Sequence, residues 1–104
     1  MKTLISSKGN KLDSEFDLRF GRAACFCLFD EETKETRFIE NEYKDANHGA
    51  GTKVVEKAVE LGASRVISGD FGPKAKELLE KFNIQMILIS NESQSISQII
   101  QSIK

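Results

Sequence analysis

Arg65-Val66-Ile67-Ser68-Gly69-Asp70-Phe71-Gly72-Pro73 reads as an apolar strand, a glycine turn and the first residue of a helix. Val66 and Ile67 give the run its β character. Gly72 is a cap candidate, and Pro73 suits the first helical position, where its missing N–H costs nothing. Ala75, Leu78, Leu79 and Phe82 then form one apolar stripe, and Asn83 can end that helix. A strand that turns into an amphipathic helix is half of a βαβ unit, so a sheet covered by helices is expected.

The flanking segments extend this pattern in both directions. Upstream, Asn47-His48-Gly49-Ala50-Gly51 opens a second amphipathic helix. Val54, Ala58 and Leu61 share its inner face, and Lys53, Glu56, Lys57 and Glu60 take the outer one. Gly62 is placed to stop it in a left-handed conformation. Downstream, Gln85-Met86-Ile87-Leu88-Ile89 reads as a buried strand, and Ser93 as the cap of a last helix with the stripe Ile96, Ile99, Ile100 and Ile103. Towards the N-terminus, Lys2 to Ser6 is a short apolar strand. Phe16, Leu18 and Phe20 alternate with Asp17 and Arg19, a half-buried extended pattern. Ala24-Cys25-Phe26-Cys27-Leu28-Phe29 is apolar on both faces, as a central strand is. After the charged turn Asp30-Glu31-Glu32-Thr33-Lys34, which reads as a solvated hairpin tip, Thr36 to Glu40 returns as its partner. The expected class is α/β: a mixed five-stranded sheet with three helices in the order β-β-β-α-β-α-β-α.

Composition narrows the class. The 104 residues fit a single domain over 1–104, and 39% apolar with 30% charged residues describes an ordinary soluble globular chain. The net charge of −1 is spread evenly, so no basic block favours nucleic acid. No run approaches the roughly 20 apolar residues of a membrane span. The two cysteines are one residue apart, too close for a good disulfide. Reduced thiols and a cytoplasmic setting follow as the expectation. A monomer or a weak homo-oligomer is expected.

In open α/β sheets ligands sit beyond the carboxyl ends of the parallel strands. That rim collects Ser6 and Lys8 after the first strand, and Gly69, Asp70, Phe71 and Gly72 after the fourth. The turn with Gly49 and Gly51, and His48 before them, is expected on the same rim. A helix N-terminus carries unpaired N–H groups and a partial positive charge, and so suits an anion. Residue reading alone therefore gives a pocket and a preference for anions.

Three strings recur here in a familiar order: Phe20-Gly21-Arg22-Ala23, His48-Gly49-Ala50-Gly51 at a helix start, and Gly69-Asp70-Phe71-Gly72-Pro73-Lys74-Ala75. Together they resemble the dinitrogenase iron–molybdenum cofactor-binding family, over nearly the whole chain. The resemblance implies a ribonuclease-H-like, three-layer fold, no catalysis, and a carrier role for metal–sulfur clusters in nitrogenase cofactor biosynthesis. Cluster donor and acceptor proteins would be its partners. The cargo would be an iron–molybdenum–sulfur or related cluster, bound reversibly. Backbone N–H groups of Gly49 to Gly51 and Gly69 to Gly72 would bond its sulfides, Arg22 and Lys8 would offset its charge, and His48 would ligate a metal.

Each assignment has an alternative. His48 is otherwise a solvated loop residue. Arg22 is otherwise a surface partner of Asp17 or Asp30. Cys25 and Cys27 read as core hydrophobes, with thiolate ligation as the other option. A nuclease on the same scaffold would need several carboxylates around two metals, and the first strand carries none. Neither turn has the ending of a phosphate loop or a dinucleotide fingerprint. The functional alternative is a protein-interaction or regulatory module with no bound cluster.

Overall fold

The structure, a computed structural model, describes residues 1–103. Five strands and three helices alternate along it: β1 (Lys2–Ser7), β2 (Cys25–Asp30), β3 (Thr36–Glu40), α1 (Ala50–Glu60), β4 (Arg65–Ser68), α2 (Pro73–Lys81), β5 (Gln85–Leu88) and α3 (Ile96–Ile103). The strands lie side by side in the order β3-β2-β1-β4-β5. β2 is antiparallel to β1 and β3, whereas β4 is parallel to β1 and β5. The expected mixed sheet and three helices are thus present. Among the described residues no helix is long and apolar enough to cross a membrane.

Side-chain alternation divides the interior in two. Leu4, Phe26, Leu28 and Val66 face one way and meet Val54, Val55 and Ala58 of α1 and Ala75 and Leu79 of α2. Ile5, Cys27, Phe29 and Ile67 face the other way and meet Ile96, Ile99 and Ile100 of α3. The sheet is therefore the middle layer. β1 runs down its centre, with a hydrogen-bonded neighbour on each edge, and so reads apolar on both faces.

The segment Phe16 to Phe20 departs from the alternating reading. Single bridges hold it, from Ser7 to Phe16, Glu15 to Ser95 and Arg19 to Asp70. In a strand Phe16 and Phe20 would share a face. Instead Phe16 lies in the core under α3 and Phe20 in the core under α1 and α2. Both edges of β1 are occupied, so no ladder is open to this segment. It crosses the strand ends from one face of the sheet to the other.

Four smaller expectations are corrected. β5 is an edge strand rather than a buried one, with Leu88 68% exposed, because β4 is its sole neighbour. The cap of α3 is Ser95, not Ser93. The Gln98 N–H donates to Ser95 Oγ at 3.1 Å and the Ser95 N–H donates to Gln98 Oε1 at 2.8 Å, a reciprocal capping box. Phe82 ends the α2 stripe exposed, since the chain has already turned out of the helix there. Glu31 is not a solvated tip residue, because Arg65 donates to its carboxylate. Gly62 and Asn83 do adopt the left-handed conformation that ends α1 and α2.

Candidate functional site

β1, β3 and β4 run in one direction, so their carboxyl ends share one edge of the sheet. The chain leaves β3 and β4 at that edge and re-enters as α1 and α2. Both glycine turns consequently open helices there. Gly49 precedes α1 with φ 76°, and Gly72 precedes α2 with φ 75°, conformations that favour glycine. Neither helix has a side-chain cap, and neither carries an acid in its first turn. The first N–H groups of each helix have no partner within the helix.

The two helix starts converge on one cleft of about 280 Å³, lined by Gly49, Gly51, Thr52, Phe71, Gly72, Pro73, Lys74 and Ala75. Backbone comes close because Gly51 has no side chain; a Cβ there would lie 3.3 Å from Ala75 Cβ and 3.8 Å from the Phe71 carbonyl oxygen. Lys74 brings a positive charge to the lining. Thr52 Oγ1 donates to the Gly49 carbonyl at 2.8 Å, which leaves the amides of that turn free of side-chain competition. Beyond the Phe71–Pro73 wall lies a second hollow of about 440 Å³, lined by Asp70, Lys76, Met86 and Leu88.

The expected site residues separate into groups. Gly49, Gly51, Phe71 and Gly72 line the cleft. His48 is exposed, one residue before Gly49. Asp70 is exposed on the rim, and its Oδ1 accepts the Gly72 N–H at 3.1 Å. Gly69 serves the fold: its N–H donates to the Leu18 carbonyl at 3.1 Å, and a Cβ there would lie 2.6 Å from Leu18 Cδ2. Ser6 is fully buried, and its hydroxyl donates to the Asp17 carbonyl at 2.6 Å and bonds Ser68 Oγ at 2.8 Å, so it does not face the cleft. Lys8 pairs with Glu15 at 3.7 Å and Glu92 at 3.4 Å, which leaves its charge already balanced. Arg22 pairs with neither Asp17 nor Asp30. Its Nη1 donates to the Lys44 carbonyl at 3.0 Å and to the Ala46 carbonyl. Asp17 instead holds Arg19, with Nη2 to Oδ2 at 3.0 Å.

Cys25 and Cys27 are both buried free thiols. Burial pushes the Cys27 thiol up to about 12, and burial followed by the Glu40 carboxylate raises Cys25. Thiolates, the ligating form, are disfavoured at both positions. Among the described residues no three His, Cys, Asp or Glu side chains gather to hold a metal ion. A metal-containing group at the cleft would therefore be held mainly by backbone donors and charge, with His48 as the nearby imidazole. Lys74 and Thr52 belong to this lining and were not singled out from sequence, although Lys74 lies inside the Gly69–Ala75 string. No sequence signal marks Thr52.

The fold places the chain among α/β proteins with a mixed five-stranded sheet between helical layers. A family model described as dinitrogenase iron-molybdenum cofactor matches residues 1–104, and the chain belongs to that family. It is similar to the apo form of the orange protein from Desulfovibrio gigas, with 29% identity, a TM-score of 0.91, and coverage of 98% of this chain and 85% of that one. It is also similar to a candidate NifB protein from Thermotoga, with 29% identity, a TM-score of 0.83, and the same coverage of 98% and 85%. No curated protein matches the chain.

Proposed function

We propose that the protein is a non-catalytic carrier for an anionic metal–sulfur cluster of the iron–molybdenum cofactor type. The cargo sits against the cleft between the starts of α1 and α2. One observation carries this reading: two helix N-termini, both without a side-chain cap or a first-turn acid, face one cleft in a member of this family. The Gly69 and Gly72 N–H groups are already bonded to the Leu18 carbonyl and to Asp70 Oδ1, so the first free amides of α1 and α2 donate to sulfide or carboxylate groups of the cargo, and the two helix dipoles and Lys74 offset its charge. His48 supplies one metal bond through a ring nitrogen. So few covalent ligands suit a protein that must release what it holds.

Asp70 alone is one carboxylate, whereas two-metal hydrolysis needs several. The sheet order with β2 reversed supports a ribonuclease-H-like scaffold used here without that chemistry. Residues 1–104 act as one unit in a reducing, cytoplasmic setting, and exchange cargo with donor and acceptor proteins. The test is anaerobic titration of an isolated iron–molybdenum–sulfur cluster, followed by gel filtration and metal analysis. One cluster co-eluting per chain is expected. Metal that elutes apart from the protein at every ratio would leave the interaction-module reading.

A further inference from the structure

One segment, Leu18 to Ala23, braces both glycine turns and the loop that leads to His48. The Leu18 carbonyl accepts the Gly69 N–H at 3.1 Å, and the Phe20 N–H donates to the Asp70 carbonyl at 3.2 Å. The Phe20 and Phe71 rings lie 5.1 Å apart. At the other turn the contact is backbone to backbone. A Cβ on Gly21 would lie 2.7 Å from Gly51 N and 3.0 Å from Gly51 Cα. Arg22 then reaches the Lys44 and Ala46 carbonyls, and Asn41, 5% exposed, donates through Nδ2 to the Gly21 and Ala23 carbonyls at 2.9 Å each. The strap thus touches both helix starts and links them in one register.

We propose that Gly21 and Arg22 are positioning residues for the cleft. Gly21 sets how closely the strap lies on the first turn of α1. Arg22 clamps the Lys44–Ala46 loop and through it the approach to His48. The proposal rests on the cargo reading of the cleft, yet its first test needs no cargo. Arg22 acts through carbonyl oxygens, so its role separates from that of a counter-charge at Arg22→Lys. That variant keeps the charge, but its shorter side chain withdraws the donor that, as Arg22 Nη1, reaches both carbonyls.

The experiment measures amide hydrogen exchange by NMR on cargo-free wild type, Arg22→Lys, Arg22→Gln and Gly21→Ala. The Ala46 N–H donates to Tyr43 and the Lys53 N–H to Gly49, so both report on the clamped segments. Both Arg22 variants should speed exchange there about tenfold, the size of one lost charge-assisted bond, and leave β1 and α3 unchanged. Gly21→Ala should move the Gly51 and Gly69 amide resonances together. Should Gly21→Ala fail to fold, the Arg22 variants at this half-buried side chain still decide the matter. Titrated anaerobically with the isolated iron–molybdenum–sulfur cluster, Arg22→Lys and Arg22→Gln should lose affinity equally. Wild-type exchange in Arg22→Lys, or lysine keeping wild-type affinity while glutamine loses it, would overturn the proposal. A cluster that binds no variant, wild type included, would overturn the cargo reading and leave the exchange rates to judge the clamp.

Discussion

Cys27 illustrates how burial alone decides a residue's chemistry. It packs with Ile5, Phe29 and Ile67 beneath α3, and its thiol is pushed from an ordinary value of 9.0 up to about 12. Above 9.0 the unfolded chain ionises this thiol while the folded chain keeps its proton. The unfolded state then binds fewer protons, so stability falls as pH rises from 9.0 towards about 12. Cys27→Ala should cost about 1 kcal/mol at neutral pH and flatten that alkaline loss, as read from urea midpoints across the pH range. Removing Cys25 as well should flatten it further, since burial raises that thiol in the same direction. His48 is the opposite case, exposed and outside the core. His48→Ala should leave thermal stability within about 0.5 kcal/mol of wild type. It should weaken cluster binding by about one to three orders of magnitude in anaerobic titration, the cost of one lost metal bond. Unchanged affinity would remove His48 from the site. The roles of Ser6, Lys8 and Arg22 were not legible in the sequence, because each is decided by partners 7 to 84 positions away along the chain, such as Glu15, Ser68 and Glu92 for the first two.

At the scale of elements, local chemistry was read well wherever it is self-contained. Pro73 at the start of α2, Gly62 and Asn83 in left-handed caps, and the continuous apolar run of β2 all need only near neighbours. Sequence alone offers Ser93 and Ser95 as caps of α3, and α3 starts after Ser95. The choice falls to Ser95 because Gln98 can complete its box and because the Ile96 N–H finds the Ser14 carbonyl at 2.9 Å. Ser95→Ala should therefore cost about 1 kcal/mol and fray α3, whereas Ser93→Ala should cost less than half of that, by thermal unfolding and far-UV dichroism. The crossing segment Phe16 to Phe20 escapes the alternating pattern for a topological reason: periodicity cannot reveal that both edges of β1 are taken. Gly69→Ala probes this crossing directly. Its Cβ would meet Leu18 Cα at 2.9 Å, so the strap must shift, at a cost of about 1–3 kcal/mol. Gly72→Ala meets nothing within 4 Å and should cost about 1–3 kcal/mol from its backbone conformation alone, φ 75° with ψ 156°.

For the molecule as a whole, the element order and the change from hairpin to βα repeats were enough to expect a mixed sheet between helical layers. The position of the cleft also followed, because chain direction fixes which ends of β1, β3 and β4 meet. What pattern could not supply was the convergence of two uncapped helix starts on one space, since the distance between α1 and α2 depends on Gly51 lying against Ala75. The proposed carrier role requires that this convergence bind an anion. Lys74 is exposed in the first turn of α2 and lines the cleft, so Lys74→Glu separates binding from stability by sign. An acid there complements the helix dipole and should raise stability by about 0.3–1 kcal/mol. The same charge faces the cargo and should cut its affinity at least about tenfold at low salt. The measurement is anaerobic titration of the isolated iron–molybdenum–sulfur cluster into wild type and Lys74→Glu, beside thermal unfolding of both. A variant that melts no lower and binds much more weakly is the predicted result; equal cluster affinity in the two proteins would contradict the assignment of the cargo to this cleft.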